Sequence, residues 1–167
     1  MSGLARPSEA VTIAVHACGL LAGAGGAALT THEMARAIGA SEAHLSKVLQ
    51  RLARAGIVTG RRGPGGGFVL ADDPASVSLL QVYEAIEGSL PRSGCMLGLP
   101  ICSGAACPLS ALLSRVTADV ADGLASVTLA GLGTSLAPGR TRRPARRRDR
   151  SGRSDTRRGS GHTRTGR

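Results

Sequence analysis

The hydrophobic pattern of this chain changes period as it runs from the N-terminus, and the changes mark its elements. Val11, Ala14, Val15, Cys18, Leu21 and Ala22 recur at helical spacing and predict a first helix with one face toward a core. Pro7 and Ser8 can start it, and the glycine-rich stretch 23–26 ends it near Ala22. Thr30-Thr31-His32-Glu33 has the form of a capping box, in which the Thr30 hydroxyl and the Glu33 carboxylate satisfy orphan backbone donors. A short helix to about Ile38 follows, stopped by Gly39. Ser41 is the next N-cap, a choice worth about 1 kcal/mol over alanine. It opens a helix from Glu42 to Ala55, with Leu45, Val48, Leu49 and Leu52 on one face and His44, Lys47, Arg51 and Arg54 on another. Two helices around a tight glycine-containing turn, the second with a basic face, predict a helix-turn-helix. At about 1.5 Å per residue the second helix is roughly 21 Å long, enough to lie in a major groove.

The period then shortens. Ile57-Val58-Thr59-Gly60-Arg61-Arg62 and Phe68-Val69-Leu70 are β-prone runs flanking Gly63-Pro64-Gly65-Gly66-Gly67, which predicts a hairpin. A tip without side chains lets backbone approach a phosphate or a groove wall, and Arg61 and Arg62 stand at its base. A hairpin in this place is a wing. Helical spacing returns with Leu79, Val82, Tyr83 and Ile86, capped by Ser78 and ended by Gly88. A loop holding three cysteines leads to a longer helix, where Leu109, Leu112, Leu113, Val116, Val120 and Leu124 form a stripe. Ser126-Val127-Thr128-Leu129 starts a last short turn of helix. After Pro138 the chain is Arg, Ser, Thr and Gly without an apolar period, which predicts disorder.

The formal charge of +10 suggests a nucleic-acid partner until its location is considered. The twelve Arg and two Asp after Leu136 carry all of it, and the body is neutral. The globular part must therefore meet DNA through local patches. The tail itself could bind DNA nonspecifically, serve as a solvated linker, or have no specific role. Phe68 and Tyr83 are the only aromatics, so stacking platforms for single strands are lacking. No apolar run reaches the roughly 20 residues of a membrane span. The small-residue stretch 11–26 follows an acidic Glu9 rather than a basic n-region, so it is expected to be a core helix and not a signal peptide. A cytoplasmic setting follows, in which cysteines more often serve metals than disulfides. No nucleophile–base pair or phosphate loop is apparent, so no enzyme is expected; the run at 63–67 lacks the Lys-Ser/Thr pair of a P-loop.

Cys95, Cys102 and Cys107 are separated by six and four residues, among Gly94, Gly98, Pro100, Gly104 and Pro108. Such a loop can turn three sulfurs inward, and soft thiolates suit iron–sulfur clusters. A zinc site, a redox thiol switch or a metal-free loop remain open on spacing alone. Cys18, on an apolar helical face, is expected to be a small core residue.

The segments Ser41–Leu52, Ala55–Val58 and Arg62–Leu70, then Ser78-Leu79, Val82, Ala85–Gly88, the cysteine loop and Val127–Leu129, together resemble the Rrf-two family of winged-helix transcription regulators, of the IscR and NsrR type. The Arg-Gly-Pro-Gly-Gly-Gly wing followed by Glu-Gly and a cysteine loop is the specific part. The resemblance spans about residues 11–132. It implies a homodimer joined through the long helix 109–124, with two recognition helices in successive major grooves of a palindromic operator and the wing in the adjacent minor groove. It implies base reading from Ser41, Ala43, His44, Ser46 and Lys47; Arg51, Arg61, Arg62, Gly63, Pro64, Gly65 and Gly66 complete the expected DNA-binding set. Relatives often have Tyr at the His44 position and Glu or Gln at Ser46 or Lys47, so the operator sequence is expected to differ.

The resemblance further implies an iron–sulfur cluster, of two or four irons, on Cys95, Cys102 and Cys107. A fourth ligand used by some relatives falls here on Ser110. One used by others falls on Thr12, one turn before His16, which leaves His16 as a candidate and Glu9 as another. The implied function is a repressor or activator whose operator affinity follows iron–sulfur status, nitric oxide or redox state. The alternative is a cluster-free regulator controlled by a protein partner or thiol oxidation. The expected organisation is a DNA-binding unit at 8–90, a cluster-binding loop at 91–108, a dimerisation helix region at 109–134 and a disordered tail at 135–167.

Overall fold

In the computed structural model, which describes residues 7–90 and 107–136, the chain forms α1 (Glu9–Gly23), α2 (Thr31–Ile38), α3 (Glu42–Arg54), β1 (Val58–Arg61), β2 (Gly67–Leu70), α4 (Leu79–Glu87), α5 (Pro108–Ser126) and α6 (Leu129–Ser135). The segment 91–106, with Cys95 and Cys102, and the Arg-rich segment from 137 onward lie outside the described residues. The mainly helical chain with one small antiparallel hairpin, a winged helix-turn-helix followed by a long helix, is the architecture expected from the pattern. Among the described residues no helix is long and apolar enough to cross a membrane.

Most helices begin where a side chain can take up an orphaned backbone N–H. Ser8 Oγ accepts from Val11 N at 3.2 Å and Ser41 Oγ from His44 N at 3.2 Å. At Thr30 both arms of the capping box are present, and they hold the Glu33 carboxyl below its ordinary pKa. Ser78 and Gln81 make a second capping box at the start of α4. Helix α5 starts differently, with Pro108 in its first turn, where a missing N–H costs nothing.

Helix α1 lies at the centre and packs against α3, α4 and α6. Its buried face is wider than the predicted stripe: Ile13 and Ala17 are buried as well, whereas Val15 and Ala22 are half-buried. A helix with neighbours on several sides buries more than one stripe, and a periodicity argument sees one. Met34, Ala35, Leu45, Val48, Leu49, Leu52, Val82 and Ile86 close the core around it.

Helix α6 is more than the last turn the sequence predicts. A backbone clasp precedes it: Leu79 N donates to Val127 O at 2.9 Å and Leu129 N to Val77 O at 2.9 Å. The helix then docks on α1 through two glycines. A Cβ at Gly19 would stand 2.5 Å from Leu136 Cδ1, and one at Gly133 would stand 2.9 Å from Ala22 Cβ. Leu129 is fully buried at the junction. Helix α5, which spans the gap between α4 and this clasp, contacts α4 and leaves Leu109 and Leu112 about half exposed, at 52% and 49%.

Two outcomes follow from this packing. Leu129→Ala is expected to lose about 2–5 kcal/mol of stability, read from the urea midpoint, because its cavity would lie between α6 and the core. Cys18 is fully buried, and loss of hydration pushes its thiol up from 9.0 to about 12. The folded chain then holds a proton that the unfolded chain releases above about pH 9, so stability is complete below that pH and falls toward pH 12 at up to about 1.4 kcal/mol per unit. Urea unfolding in mildly and strongly alkaline buffer should show a steeper loss for the wild type than for Cys18→Ala.

Candidate nucleic-acid interface and metal-ligating residues

The turn between α2 and α3 is fixed from both sides. Gly39 ends α2 in the left-handed conformation, at φ 78°, and Ser41 begins α3 two residues later. The Nδ1–H of His32, in the first turn of α2, donates to Glu42 Oε1 at 2.7 Å, in the first turn of α3. This pair is solvent-exposed, so its energetic weight is small, on the order of 0–1 kcal/mol. It nevertheless links the starts of the two helices directly.

With Leu45, Val48, Leu49 and Leu52 buried, the register of α3 is set, and its outer surface follows. Ser41, Ala43, Lys47, Arg51 and Arg54 are exposed there, and Ser46 is half-buried. His44 is also half-buried, and its Nδ1 lies 3.7 Å from Glu9 Oε1 on α1. Sequence pattern places Glu9 and His44 in separate helices and gives no signal of their meeting.

The wing pairs Val58 with Leu70, Thr59 with Val69, Gly60 with Phe68 and Arg61 with Gly67. Its glycines answer first to the hairpin itself. A Cβ at Gly67 would stand 2.4 Å from Leu29 O, and one at Gly66 would stand 2.5 Å from Arg61 O. Leu29 bridges to the outer edge of β2, with Leu29 N donating to Phe68 O at 3.0 Å and Phe68 N to Leu29 O at 2.8 Å. Arg62, Gly63, Pro64 and Gly65 are exposed at the tip and Gly66 is half-buried. The Nη1 of Arg61 donates to Gly26 O at 3.3 Å.

Between Glu42 and Asp72 the chain has no acidic residue, and it carries Lys47, Arg51, Arg54, Arg61 and Arg62, all exposed. Glu84, Glu87, Asp119 and Asp122 fall instead on α4 and α5. The neutral body thus separates its charge locally: five of its nine Lys and Arg lie on the recognition-type helix and the wing, where Glu42 is the only acid, while Glu9, Glu33, Asp72 and Asp73 lie elsewhere. That separation is visible in the sequence as one acid-free interval, and the fold turns the interval into two neighbouring elements.

Cys107 is the N-cap residue of α5; it is half-buried, and its side chain makes no capping hydrogen bond. His16 is exposed on α1, and its Nδ1–H donates to Thr12 O at 2.7 Å, which leaves Nε2 as the nitrogen able to take a ligand. Ser110 is half-buried in the first turn of α5. Among the described residues no three potential metal ligands come together; Cys95 and Cys102 lie outside them.

Residues 8–134 match the family model described as "Rrf2: Iron-dependent Transcriptional regulator". An HTH-type transcriptional regulator of Neisseria meningitidis serogroup A is 35% identical over 89 residues, a match covering 53% of this chain and 60% of that one. The HTH-type transcriptional regulator IscR of Escherichia coli is 34% identical over 95 residues, covering 56% of this chain and 58% of that one. The chain thus aligns with about three fifths of the length of these relatives. Two solved structures share the fold. One is CymR (YrzC), the global cysteine regulator of B. subtilis, with TM-score 0.66, 23% identity and coverage of 78% of this chain and 97% of that one. The other is T. potens IscR, with TM-score 0.62, 24% identity and coverage of 78% and 87%.

Arg51→Gln should weaken binding to duplex DNA and flatten the slope of log affinity against log salt by about 0.9, the value for one lost phosphate contact. Arg115→Gln, a cation on α5 rather than on the patch, should leave that slope unchanged in the same titration.

Proposed function

Because the chain belongs to the Rrf2 family of transcriptional regulators, we propose that it binds an operator as a homodimer and that an iron–sulfur cluster sets its affinity. The observation that carries the DNA-binding part is the acid-free interval whose five exposed cations lie on α3 and the wing. Ser41, Ala43, His44, Ser46 and Lys47 form the end of α3 that enters the major groove. Arg51 and Arg62 contact phosphates, and Gly63 to Gly66 follow the minor groove. The partner is a second copy: Leu109 and Leu112 on α5 are half exposed, which is costly for large apolar side chains unless another surface covers them. Two copies related by a twofold axis read a palindrome with half-sites one helical turn apart, roughly 34 Å.

Of the four cysteines, Cys18 is unsuitable as a ligand. Its thiol is buried in apolar surroundings and stays protonated, whereas metals take the thiolate. Cys107 suits the role, with a half-buried sulfur that caps no backbone group. Cys95, Cys102 and Cys107 are the proposed thiolate set, and His16, its Nδ1–H already held by Thr12 O, is the candidate to offer Nε2. A cluster bound there would supply iron open to oxidants and nitric oxide. The chain's own residues provide the route to DNA. Cys107 begins α5, α5 packs on α4, and the far end of α5 is clasped to the start of α4 at Val77 to Leu79. Helix α4 packs in turn against α1 and α3. A change at 91–108 therefore reaches the recognition helix through packed helices, and any ligand that prefers one DNA-binding state shifts the balance by its differential affinity.

Anaerobic reconstitution with iron and sulfide, followed by gel-shift titration, tests this. The expected result is a brown protein whose operator affinity differs between cluster-bound and cluster-free forms, with colour lost in Cys95→Ala, Cys102→Ala and Cys107→Ala but kept in Cys18→Ala. A colourless, metal-free protein that still binds DNA would favour the cluster-free regulator; equal affinity in both forms would remove the sensing role.

A further inference from the structure

The wing is a small hairpin held from outside. Its strands are four residues each, and an isolated two-stranded hairpin of that size is marginal in water. Val58 and Val69, its buried side chains, both lie toward the base, near the Val58–Leu70 and Thr59–Val69 pairs. Of the distal pairs, Gly60 with Phe68 and Arg61 with Gly67, only Phe68 packs against the core, and it is half-buried, so further contacts help set the direction in which the tip projects.

Those contacts converge on the connector between α1 and α2. On the β2 side, Leu29 and Phe68 exchange two backbone hydrogen bonds, and Gly67 brings its backbone so close to Leu29 O that no Cβ would fit. On the β1 side, Arg61 Nη1 reaches Gly26 O. Gly25 and Gly26 both have positive φ, 60° and 85°, a backbone course few other residues adopt and one that belongs to the turn presenting this carbonyl. Phe68 pairs with Gly60 and Arg61 with Gly67, so the connector grips the two strands at adjacent rungs, β2 by backbone and β1 by a side chain. Arg62, one residue further, makes no hydrogen bond among the described residues and stands exposed at the start of the tip.

Taking the wing as the DNA-contacting hairpin proposed above, the geometry points to Arg61 as a positioning residue: it fixes the wing to the α1–α2 connector, and Arg62 is the cation that meets the phosphate backbone. The two neighbouring arginines thus have separable roles. One sets the angle of the wing relative to α3, and the other neutralises DNA charge. A side chain turned onto a protein carbonyl neutralises no phosphate, so replacing it leaves the salt dependence of binding unchanged, whereas replacing a phosphate-neutralising one lowers that dependence directly.

The test compares Arg61→Gln, Arg61→Lys and Arg62→Gln in the full chain. The first measurement is amide hydrogen exchange of the free protein. Arg61→Gln should speed exchange at Leu29 and Phe68, Arg61→Lys should restore part of the protection, and Arg62→Gln should leave it unchanged. The second is a salt titration on a duplex enriched from a random-sequence pool with the wild-type protein. Arg61→Gln should lower affinity about fivefold with the salt slope unchanged, whereas Arg62→Gln should reduce that slope by about 0.9. Unchanged exchange in Arg61→Gln, or a slope reduced as much as in Arg62→Gln, would overturn the positioning role. If the wild type enriches no duplex, the DNA-binding role fails and the exchange measurement alone decides whether Arg61 holds the wing.

Discussion

Helix α1 can be enclosed by α3, α4 and α6 because much of its buried surface is made of small side chains. Ala14, Ala17, Cys18 and Gly19 are buried there, and Gly133 of α6 meets Ala22 at a distance that leaves no room for a Cβ. With one Phe, one Tyr and no Trp, the chain has little bulk to fill wide gaps, so its helices come close instead. This close approach fixes where every other element can sit. It seats α3 with its cationic side outward, and it brings α6 back from the far end of the chain to complete the same core.

Helix α3 and the wing, the elements proposed to meet DNA, hang on that frame at two places. Helix α3 is held by four buried aliphatic side chains, which fix its rotation and therefore which residues face out. The wing is held at its base by Val58 and Val69 and further out by the α1–α2 connector. The cations then need no excess of charge in the body as a whole. The fold gathers five of them onto two neighbouring elements where Glu42 is the only acid, which favours approach of a polyanion to that surface.

The cysteines divide by environment rather than by spacing. Cys18 lost its chemistry to burial, since a thiol without water or a cationic neighbour keeps its proton. Cys107 sits where the long helix begins, free of the capping role that a Ser or Asp would have taken. A ligand at that position acts on α5 at its first residue, and the clasp at Val77 to Leu129 holds the opposite end against α4. Helix α5 is thus clasped to α4 at its C-terminal end, and its N-terminal end carries the proposed ligand Cys107.

What the sequence determined by itself is local. Helix starts at Ser8, Thr30, Ser41 and Ser78 were legible because a cap is a contact between residues three apart. The core face of α3 was legible because one-sided burial leaves a clean period, and the hairpin because its β-prone runs bracket a Gly-Pro turn. The family resemblance was carried by such contiguous stretches too. Tertiary structure decided what no period encodes. It gave α1 a second buried face, docked α6 through Gly19 and Gly133, and brought Glu9 to His44 and Arg61 to Gly26. It also gave two of the wing's glycines a packing reason, Gly67 against Leu29 O and Gly66 against Arg61 O. The division has one physical cause: capping and amphipathicity depend on neighbours along the chain, whereas close packing and side-chain bonds between elements depend on which surfaces the finished fold presses together.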